Sequence, residues 1–156
     1  LVPNSRMAEV LAAAKAAAEA TTVGAPDSGA ALGPVISANQ WNKIEGLIAK
    51  GIDEGATVVA GGLGKPEGLS TGYYVKPTVL AGVNNQMTVA REEIFGPVTS
   101  VISWKDEDEM MKVANDTNYG LADLYLQFAL LPLRYNRAPL PNHPALFAST
   151  GCWLNR

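Results

Sequence analysis

Three stretches of the chain repeat hydrophobic residues at helical spacing, and the first of them is rich in alanine. Between Met7 and Ala20, eight of fourteen residues are alanine, the residue with the highest helix propensity. Asn4 and Ser5 precede this stretch and are its candidate N-caps. The pattern therefore predicts a helix over residues 7–20.

The second stretch predicts a helix that begins near Ser37 and has one hydrophobic face. Ser37 and Gln40 have the spacing of a capping box, in which two side chains bond each other's backbone amides. The hydrophobic face comprises Trp41, Ile44, Ile48 and Ile52. Gly55 lies where a left-handed C-terminal cap is expected.

Three further segments have the short hydrophobic character of β-strands. Thr57–Ala60 is predicted to be a short buried strand, and Val98–Trp104 a longer one. Residues 73–79 are predicted to be extended but contain Pro77. Because proline cannot donate to a β-ladder, this segment suits an edge strand or the end of a strand.

A third helix is predicted after the last strand. Asp106 and Glu109 again have the spacing of a capping box. The hydrophobic side of this helix comprises Met110, Met111, Val113 and Ala114. Residues 115–118 (Asn-Asp-Thr-Asn) end it. Strands that alternate with helices predict an α/β fold, layered, with a largely parallel sheet and flanking helices.

Composition fits one soluble domain and excludes several classes of protein. With 156 residues, 47% hydrophobic and 17% charged, the chain is neither disordered nor fibrous. The first six residues are too short and polar for a signal peptide or membrane span, so we expect a cytoplasmic protein without a membrane partner. A net charge of -3 provides no basic surface for nucleic acid. The single cysteine fits a reducing compartment.

The most informative motif is Glu-Glu-Ile-Phe-Gly-Pro-Val at residues 92–98. The Glu93 carboxylate can accept hydrogen bonds from both hydroxyls of a ribose, and Phe95 can place its ring against a flat heterocycle. The alternative is a solvated pair of glutamates before a buried strand, with Phe95 in the core. These seven residues, taken alone, favour that alternative, and only the surrounding motifs change the balance.

Six collinear landmarks resemble the NAD(P)-dependent aldehyde dehydrogenase superfamily in their order and spacing. They are Gly33 and Pro34; residues 40–44 (Gln-Trp-Asn-Lys-Ile); residues 54–56 (Glu-Gly-Ala) with Gly61 and Gly62; residues 72–79 (Gly-Tyr-Tyr-Val-Lys-Pro-Thr-Val); residues 92–98; and residues 114–116 (Ala-Asn-Asp) with residues 119–122 (Tyr-Gly-Leu-Ala). The resemblance covers about residues 1–122. It implies part of the catalytic domain of such an enzyme.

The resemblance implies a role for four residues at the nicotinamide end of NAD or NADP. Glu93 matches the glutamate that holds the nicotinamide ribose, and Phe95 matches the aromatic residue beside the nicotinamide ring. Gln40 and Lys43 match helix residues that reach the same ribose, and their spacing places them on one helix face. The alternatives are that Gln40 serves only the Ser37 capping box and that Lys43 is a solvated surface lysine.

The family oxidises small-molecule aldehydes to carboxylic acids through a cysteine thiohemiacetal, hydride transfer to the nicotinamide and hydrolysis of a thioester. By the resemblance, the cysteine, the general-base glutamate, the oxyanion asparagine and the pyrophosphate loop would all lie upstream of Leu1. We therefore expect this chain to hold part of a cofactor site and no catalytic residue. The isolated chain is expected to be inactive.

Three other features receive no functional assignment. Cys152 has no nearby lysine, histidine or carboxylate that would activate it, and His143 has no second metal ligand near it, so no metal site is predicted. The glycines of residues 61–66 fit neither a P-loop nor a dinucleotide fingerprint. They are expected to form a turn with positive φ angles.

The resemblance stops at Asp123. Residues 123–156 contain four of the ten prolines and three arginines against one aspartate, without helical or strand periodicity. Our hypothesis is that the reading frame was lost or fused there, which would make this tail non-homologous. Two functions remain open: a fragment of an aldehyde dehydrogenase, which self-associates or needs a complementing chain, and a non-catalytic remnant or interaction module.

Overall fold

The computed structural model describes residues 1–117. The predicted tail at residues 123–156, with Cys152 and His143, lies outside the described residues, and so does the landmark at residues 119–122. Within residues 1–117, no helix is both long enough and hydrophobic enough to cross a membrane.

A four-stranded sheet runs through the described part of the chain. Its strands are β1 (Val2–Pro3), β2 (Thr57–Ala60), β3 (Thr78–Val83) and β4 (Val98–Trp104). They lie in the order β1-β4-β3-β2. Strand β4 is parallel to both β1 and β3, whereas β2 is antiparallel to β3. The predicted α/β fold with a largely parallel sheet is confirmed, although β1 is too short to have shown a strand pattern.

Four α-helices accompany this sheet in residues 1–117: α1 (Met7–Ala20), α2 (Ala38–Asp53), α3 (Thr88–Arg91) and α4 (Glu107–Asn115). Helices α1, α2 and α4 were predicted, whereas α3 is a single turn that no pattern indicated. The expectation that Asn4 or Ser5 caps α1 is wrong, because both lie in a 3-10 turn, Asn4–Arg6, that leads into the helix. Arg6 occupies the N-cap position and makes no capping bond with its side chain.

Both ends of α2 form as the sequence predicts. The Ser37 hydroxyl accepts a hydrogen bond from the Gln40 backbone N–H at 3.2 Å. At the other end, Gly55 has a φ of 105°, and the amides of Gly55 and Ala56 donate to the carbonyls of Ile52 and Gly51. This pair of bonds is a Schellman motif, in which glycine avoids the cost of the left-handed conformation.

The predicted hydrophobic face of α2 is correct at Ile44 and Ile48, which are fully buried. It is wrong at Ile52, which is 37% exposed. The buried residue in that last turn is Gly51. A Cβ on Gly51 would lie 2.6 Å from Cγ1 of Val89 in α3. Because α3 approaches α2 so closely at Gly51, the hydrophobic contact ends before Ile52.

The strands β2 and β3 differ from expectation in burial and in length. Strand β2 has the predicted bounds, but only Ala60 is buried, because β2 forms the edge of the sheet. In the segment 73–79 the strand begins only at Thr78 and continues to Val83. Pro77 therefore lies just before the strand, in agreement with the predicted strand end. Its missing N–H removes no hydrogen bond from the β-ladder.

Helix α4 also begins at the predicted cap. The Asp106 carboxylate accepts from the Glu109 backbone N–H at 2.9 Å, and the Glu109 carboxylate accepts from the Lys105 N–H at 2.8 Å. Met110 is buried, but Met111 is 38% exposed, so its assignment to the hydrophobic side is wrong. The two methionines are neighbours about 100° apart on the helix, and only one of them reaches the sheet.

Buried residues lie on both faces of the sheet. On one face, Val79 and Val101 form a cluster with the hydrophobic side of α1. On the other face, Leu80 packs with Val89 of α3. The alternation of Val79 and Leu80 follows from the pleat, since successive side chains of a strand point to opposite faces. The second face is the one that meets α2 and α3, and it is continuous with the candidate site.

The Glu54 carboxylate fixes the start of α3. One of its oxygens accepts from the Thr88 backbone N–H and the other from the Thr88 hydroxyl, both at 2.6 Å. Lys50 adds an ion pair at 3.7 Å. The two hydrogen bonds from Thr88 hold the pKa of Glu54 below its ordinary value. The end of α2 is thereby joined to the helix that precedes residues 92–98.

Arg91, at the end of α3, is tied to the end of α4. Its guanidinium forms an ion pair with the Asp116 carboxylate at 2.7 Å and donates to the Asp116 carbonyl at 2.9 Å. The Asn85 amide donates to the Val113 carbonyl at 2.8 Å, and the Asn85 carbonyl accepts from Arg91. Hydrogen bonds from Arg91 and Asn85 hold the pKa of Asp116 below its ordinary value. The residue just before Glu92 is therefore fixed by contacts made over long sequence distances.

The contact between Gly51 and Val89 predicts that two glycines of α2 respond in opposite ways to replacement by alanine. Gly51→Ala should lower the free energy of unfolding by about 1–3 kcal/mol, because its Cβ would meet the stiff side chain of Val89. Gly46→Ala is the matched control, since nothing lies within 4 Å of its Cβ. It should raise stability by about 0.5–1 kcal/mol. Urea unfolding followed by circular dichroism measures both. Equal stability of the two variants would contradict this packing.

The lowered pKa of Asp116 predicts a loss of stability in acid. A carboxylate whose pKa is lower in the folded chain stabilises the fold above its unfolded pKa, about 3.9 for Asp. That contribution disappears as the pH falls through the folded value. Thermal unfolding between about pH 5 and pH 2 should therefore show a shallower decline for Asp116→Asn than for the wild type. Asp27→Asn, at an exposed turn, is the control, and a decline in Asp116→Asn as steep as in the wild type would refute the assignment.

Candidate functional site

Residues 92–98 connect α3 to β4 by two successive tight turns. The Gly96 N–H donates to the Ile94 carbonyl at 2.7 Å, and the Val98 N–H donates to the Gly96 carbonyl at 2.8 Å. Both bonds join residues two positions apart, which is the pattern of γ-turns. The segment is therefore defined by its own backbone as well as by its neighbours.

The side chains of this segment divide between the core and the solvent. Ile94 packs against the buried clusters that contain Leu80 and Ile44. Its neighbours Glu93 and Phe95 are exposed, Phe95 by 70%. The alternative in which Phe95 belongs to the core is thus wrong. An exposed aromatic ring and an exposed carboxylate, two positions apart in the chain, are each available to a ligand.

Gly96 allows α2 to lie directly against the segment. A Cβ at this position would lie 2.6 Å from Cδ1 of Ile44, which is fully buried. Any larger residue would force the Ile44 side chain, the helix or the turn to shift. Next to this contact, the Pro97 carbonyl accepts from the Thr78 N–H at 2.8 Å and joins the segment to β3.

Gln40 is bonded to the segment by its side chain. Its Nε2 donates to the Phe95 carbonyl at 2.8 Å, across 55 positions of sequence. Its backbone N–H donates to Ser37, but its side chain does not return the second bond of the capping box. The interpretation that Gln40 serves only that box is therefore wrong. The structure brings Gln40 and Phe95 into direct contact.

Lys43 and Glu93 carry the charges of the candidate site. Lys43 lies on α2, three positions after Gln40, and is exposed. Within residues 1–117, neither the Lys43 ammonium nor the Glu93 carboxylate forms a hydrogen bond or an ion pair with another described residue. No contact fixes the distance between them. Both charges face the solvent, which is compatible with a ligand role and also with the solvated lysine of the alternative.

The glycine-rich turn is not a phosphate-binding loop. Gly61, Gly62 and Gly64 have φ angles of 72°, 89° and 82°, as expected for a turn. The Gly62 N–H donates to the Thr78 hydroxyl at 3.0 Å, and the Gly64 N–H donates to the Glu45 carboxylate at 2.7 Å. Because the protein itself uses these amides, they are not aimed at an anion.

Other candidate sites in residues 1–117 are weak. A shallow cavity of about 220 Å³ lies between the end of α1 and the glycine-rich turn, with Glu19 and Lys76 in its lining. None of the four predicted site residues lines it. No group of three or more His, Cys, Asp or Glu in the described residues is placed to hold a metal ion. The strongest candidate is therefore the open surface formed by α2 and residues 92–98.

The contacts that support this surface were not predictable from the sequence. Arg91 and Asp116 fix the segment on one side, and the contact of Gly96 with Ile44 fixes it on the other. The sequence shows that Asp116 belongs to a landmark, but nothing in it pairs Asp116 with Arg91. These residues position the site and do not themselves point toward a ligand.

Comparison with known proteins places this geometry in a family. The model of the aldehyde dehydrogenase family matches residues 1–124. A Staphylococcus haemolyticus protein named as an aldehyde dehydrogenase is 50% identical over 123 residues, which are 78% of this chain and 26% of that protein. The chain thus spans about a quarter of the length of the relatives that it matches.

Solved structures agree with the match in sequence. An aldehyde dehydrogenase from Bartonella henselae has a TM-score of 0.75 and 49% identity, over 78% of this chain and 26% of that one. One from Mycobacterium tuberculosis, complexed with NAD+, has a TM-score of 0.74 and 50% identity, over 78% and 25%. A Pseudomonas syringae mutant enzyme in complex with NAD+ and octanal has a TM-score of 0.75 and 43% identity, over 78% and 25%. On both the family match and the fold, this chain belongs to the aldehyde dehydrogenase family.

Proposed function

We propose that residues 1–122 are the nicotinamide-side part of the catalytic domain of an aldehyde dehydrogenase that uses NAD or NADP. The observation that carries this proposal is the bond from Gln40 to the Phe95 carbonyl, which holds Glu93 and Phe95 at the surface. Relatives with the same fold are solved in complex with NAD+. The substrate of the whole enzyme would be a small-molecule aldehyde.

Three of the four residues offer complementary groups to a nicotinamide nucleotide. The Glu93 carboxylate has two acceptor oxygens for the hydroxyls of the ribose. The exposed ring of Phe95 offers a flat apolar face to the nicotinamide. Lys43 contributes a positive charge on the neighbouring helix. It lies three positions after Gln40 on the same face of α2, so it could act on the same part of the ligand. NAD(P)+, when bound, would supply the hydride acceptor.

We assign no nucleophile to this chain. Its only cysteine, Cys152, lies beyond residue 124, where the family match ends. The oxidation would need a thiolate from a part of the enzyme that these residues do not match. We also propose that the protein is cytoplasmic and that residues 123–156 are a non-homologous tail. Comparing the gene with the neighbouring DNA tests the tail, since a family-like continuation in another frame is expected.

A non-catalytic role is the second candidate. It is favoured by one observation, that Ile36 and Tyr73 leave apolar surface exposed beside the site. In that case the same fold would persist as an interaction module or as a remnant without turnover. Binding of NAD+ at Glu93 and Phe95 separates the two candidates, because a remnant has no reason to keep that site.

Apolar surface around the site supports a further partner. Ile36, just before α2, is 91% exposed, Phe95 70% and Tyr73 43%. The Val35 N–H donates to the Tyr73 carbonyl, so Ile36 and Tyr73 lie close together at the start of α2. We propose that a second copy of the chain or a complementing chain covers Ile36 and Tyr73 and leaves the Phe95 ring open, since exposed apolar groups favour association.

Titration with NAD+ is expected to reveal weak binding without turnover. In NMR spectra of the labelled chain, the amides of residues 40–43 and 93–95 should shift, with a Kd of about 1 mM or weaker, because only one end of the ligand is held. Glu93→Gln should weaken binding by roughly tenfold, as expected for loss of a charged acceptor. Glu92→Gln, its exposed neighbour, is the matched control and should leave binding unchanged.

The same preparation should produce no NADH from aldehydes. Micromolar affinity, or equal effects of the two glutamate variants, would contradict the proposed half-site. Activity that is lost on Cys152→Ala would overturn the assignment of the nucleophile to another part of the enzyme.

Exposed Ile36 predicts concentration-dependent self-association. In sedimentation velocity, the wild type should form dimers or larger species as its concentration rises, and Ile36→Ser should shift the equilibrium toward the monomer. Leu63→Ser is a control of equal size in the glycine-rich turn, where Leu63 is 45% exposed. A wild type that stays monomeric throughout would argue against this surface as an interface.

A further inference from the structure

Two residues of α2 hold two consecutive residues of the 92–98 segment. Gln40 donates to the Phe95 carbonyl, and Ile44 lies so close to Gly96 that only hydrogen fits between them. Gln40 and Ile44 are four positions apart, so they share one face of the helix. The hydrogen bond from Gln40 is polar and directional, whereas the packing of Ile44 on Gly96 sets the distance between α2 and the segment. Together they fix both the position and the orientation of the peptide between Phe95 and Gly96.

The orientation of this peptide affects the exposed side chains. Ile94 is anchored in the core, and the γ-turn from Gly96 to the Ile94 carbonyl spans Phe95. Rotation of the Phe95 carbonyl would open this turn and change the direction of the Phe95 ring. Glu93, on the other side of Ile94, belongs to the same short segment. A side chain that holds the carbonyl therefore controls how the segment presents its ring.

From this geometry we infer that Gln40 is a positioning residue, which orients Phe95 by holding its carbonyl. The inference rests on the proposed function for the identity of the ligand. The inference gives different roles to Gln40 and Lys43, which the family resemblance had placed together at the nicotinamide ribose. Lys43 has no bond to the segment, so its ammonium can only act on a ligand directly, whereas one N–H of the Gln40 amide is held by the Phe95 carbonyl.

The replacement Gln40→Met tests this role, since methionine keeps the length of the side chain and removes the donor. Without NAD+, the Phe95 carbonyl carbon and the Gly96 amide should change chemical shift, and the Gly96 amide should exchange about fivefold faster, as expected for loss of one hydrogen bond. Lys43→Met is the matched control, one helical turn away. It should leave these signals unchanged and weaken only the binding of NAD+.

A second variant separates positioning from general destabilisation. Gln40→Glu presents an acceptor to the Phe95 carbonyl while ionised, but its protonated form can donate as glutamine does. The segment signals of this variant should therefore return toward those of the wild type as the pH falls toward about 4.3 or below. The wild type over the same range is the control. A variant that is merely misfolded would show no such recovery.

The outcomes distinguish this inference from the proposed function. If Gln40→Met weakens NAD+ binding but leaves the ligand-free segment unchanged, Gln40 is a direct ligand and the inference is wrong. Altered segment signals with unchanged affinity for NAD+ would also overturn it. If NAD+ shifts no amide of residues 93–95 in the wild type, the proposed function fails, whatever the segment does in the variants.

Discussion

The close approach of α2 to the chain on either side of it is the constraint on which the candidate site depends. Gly96 leaves no space between the segment and Ile44, and Gly51 leaves none between α2 and Val89. Because packed interiors tolerate neither gaps nor extra atoms, these two contacts fix the helix relative to both ends of the chain from α3 to β4. The Gln40 bond then has a defined geometry, since its donor and acceptor are carried by elements that pack against each other where Ile44 meets Gly96.

Charged residues divide into those that hold the fold and those that remain available. Glu54 is bonded to Thr88, and Arg91 is bonded to Asp116, so each has a partner that fixes a helix end. Lys43 faces solvent without such a partner in residues 1–117. A charged group that is bonded within the protein helps to fix the position of a helix end, whereas an unpaired charged group is free to bind a ligand. This division supports the proposed site without an enclosed pocket, because the bonded charges fix the elements that carry Glu93 and Lys43 and leave those two side chains free to meet a ligand.

Local signals predicted much of the fold, and contacts distant in sequence account for what they missed. Ser37, Gly55 and Asp106 act on the backbone within a few residues, so both ends of α2 and the start of α4 could be predicted from the sequence. The exposure of Ile52 could not be predicted in this way, because it depends on where α3 meets α2. For the site, the landmark motifs gave the candidate residues. However, the Phe95 carbonyl that accepts the hydrogen bond from Gln40 lies 55 positions away in the sequence. A spacing rule cannot supply such a partner.

Three elements within residues 1–117 support the 92–98 segment. Helix α2 supplies Gln40 and Ile44, β3 supplies Thr78, and the end of α4 supplies Asp116. A chain that spans a quarter of the length of its relatives can therefore retain the shape of this part of the site. Shape alone does not give affinity, because binding must also overcome the lost freedom of the ligand, and contacts at one end offset only part of that cost. The proposed half-site therefore combines the shape seen in its relatives with weak expected binding.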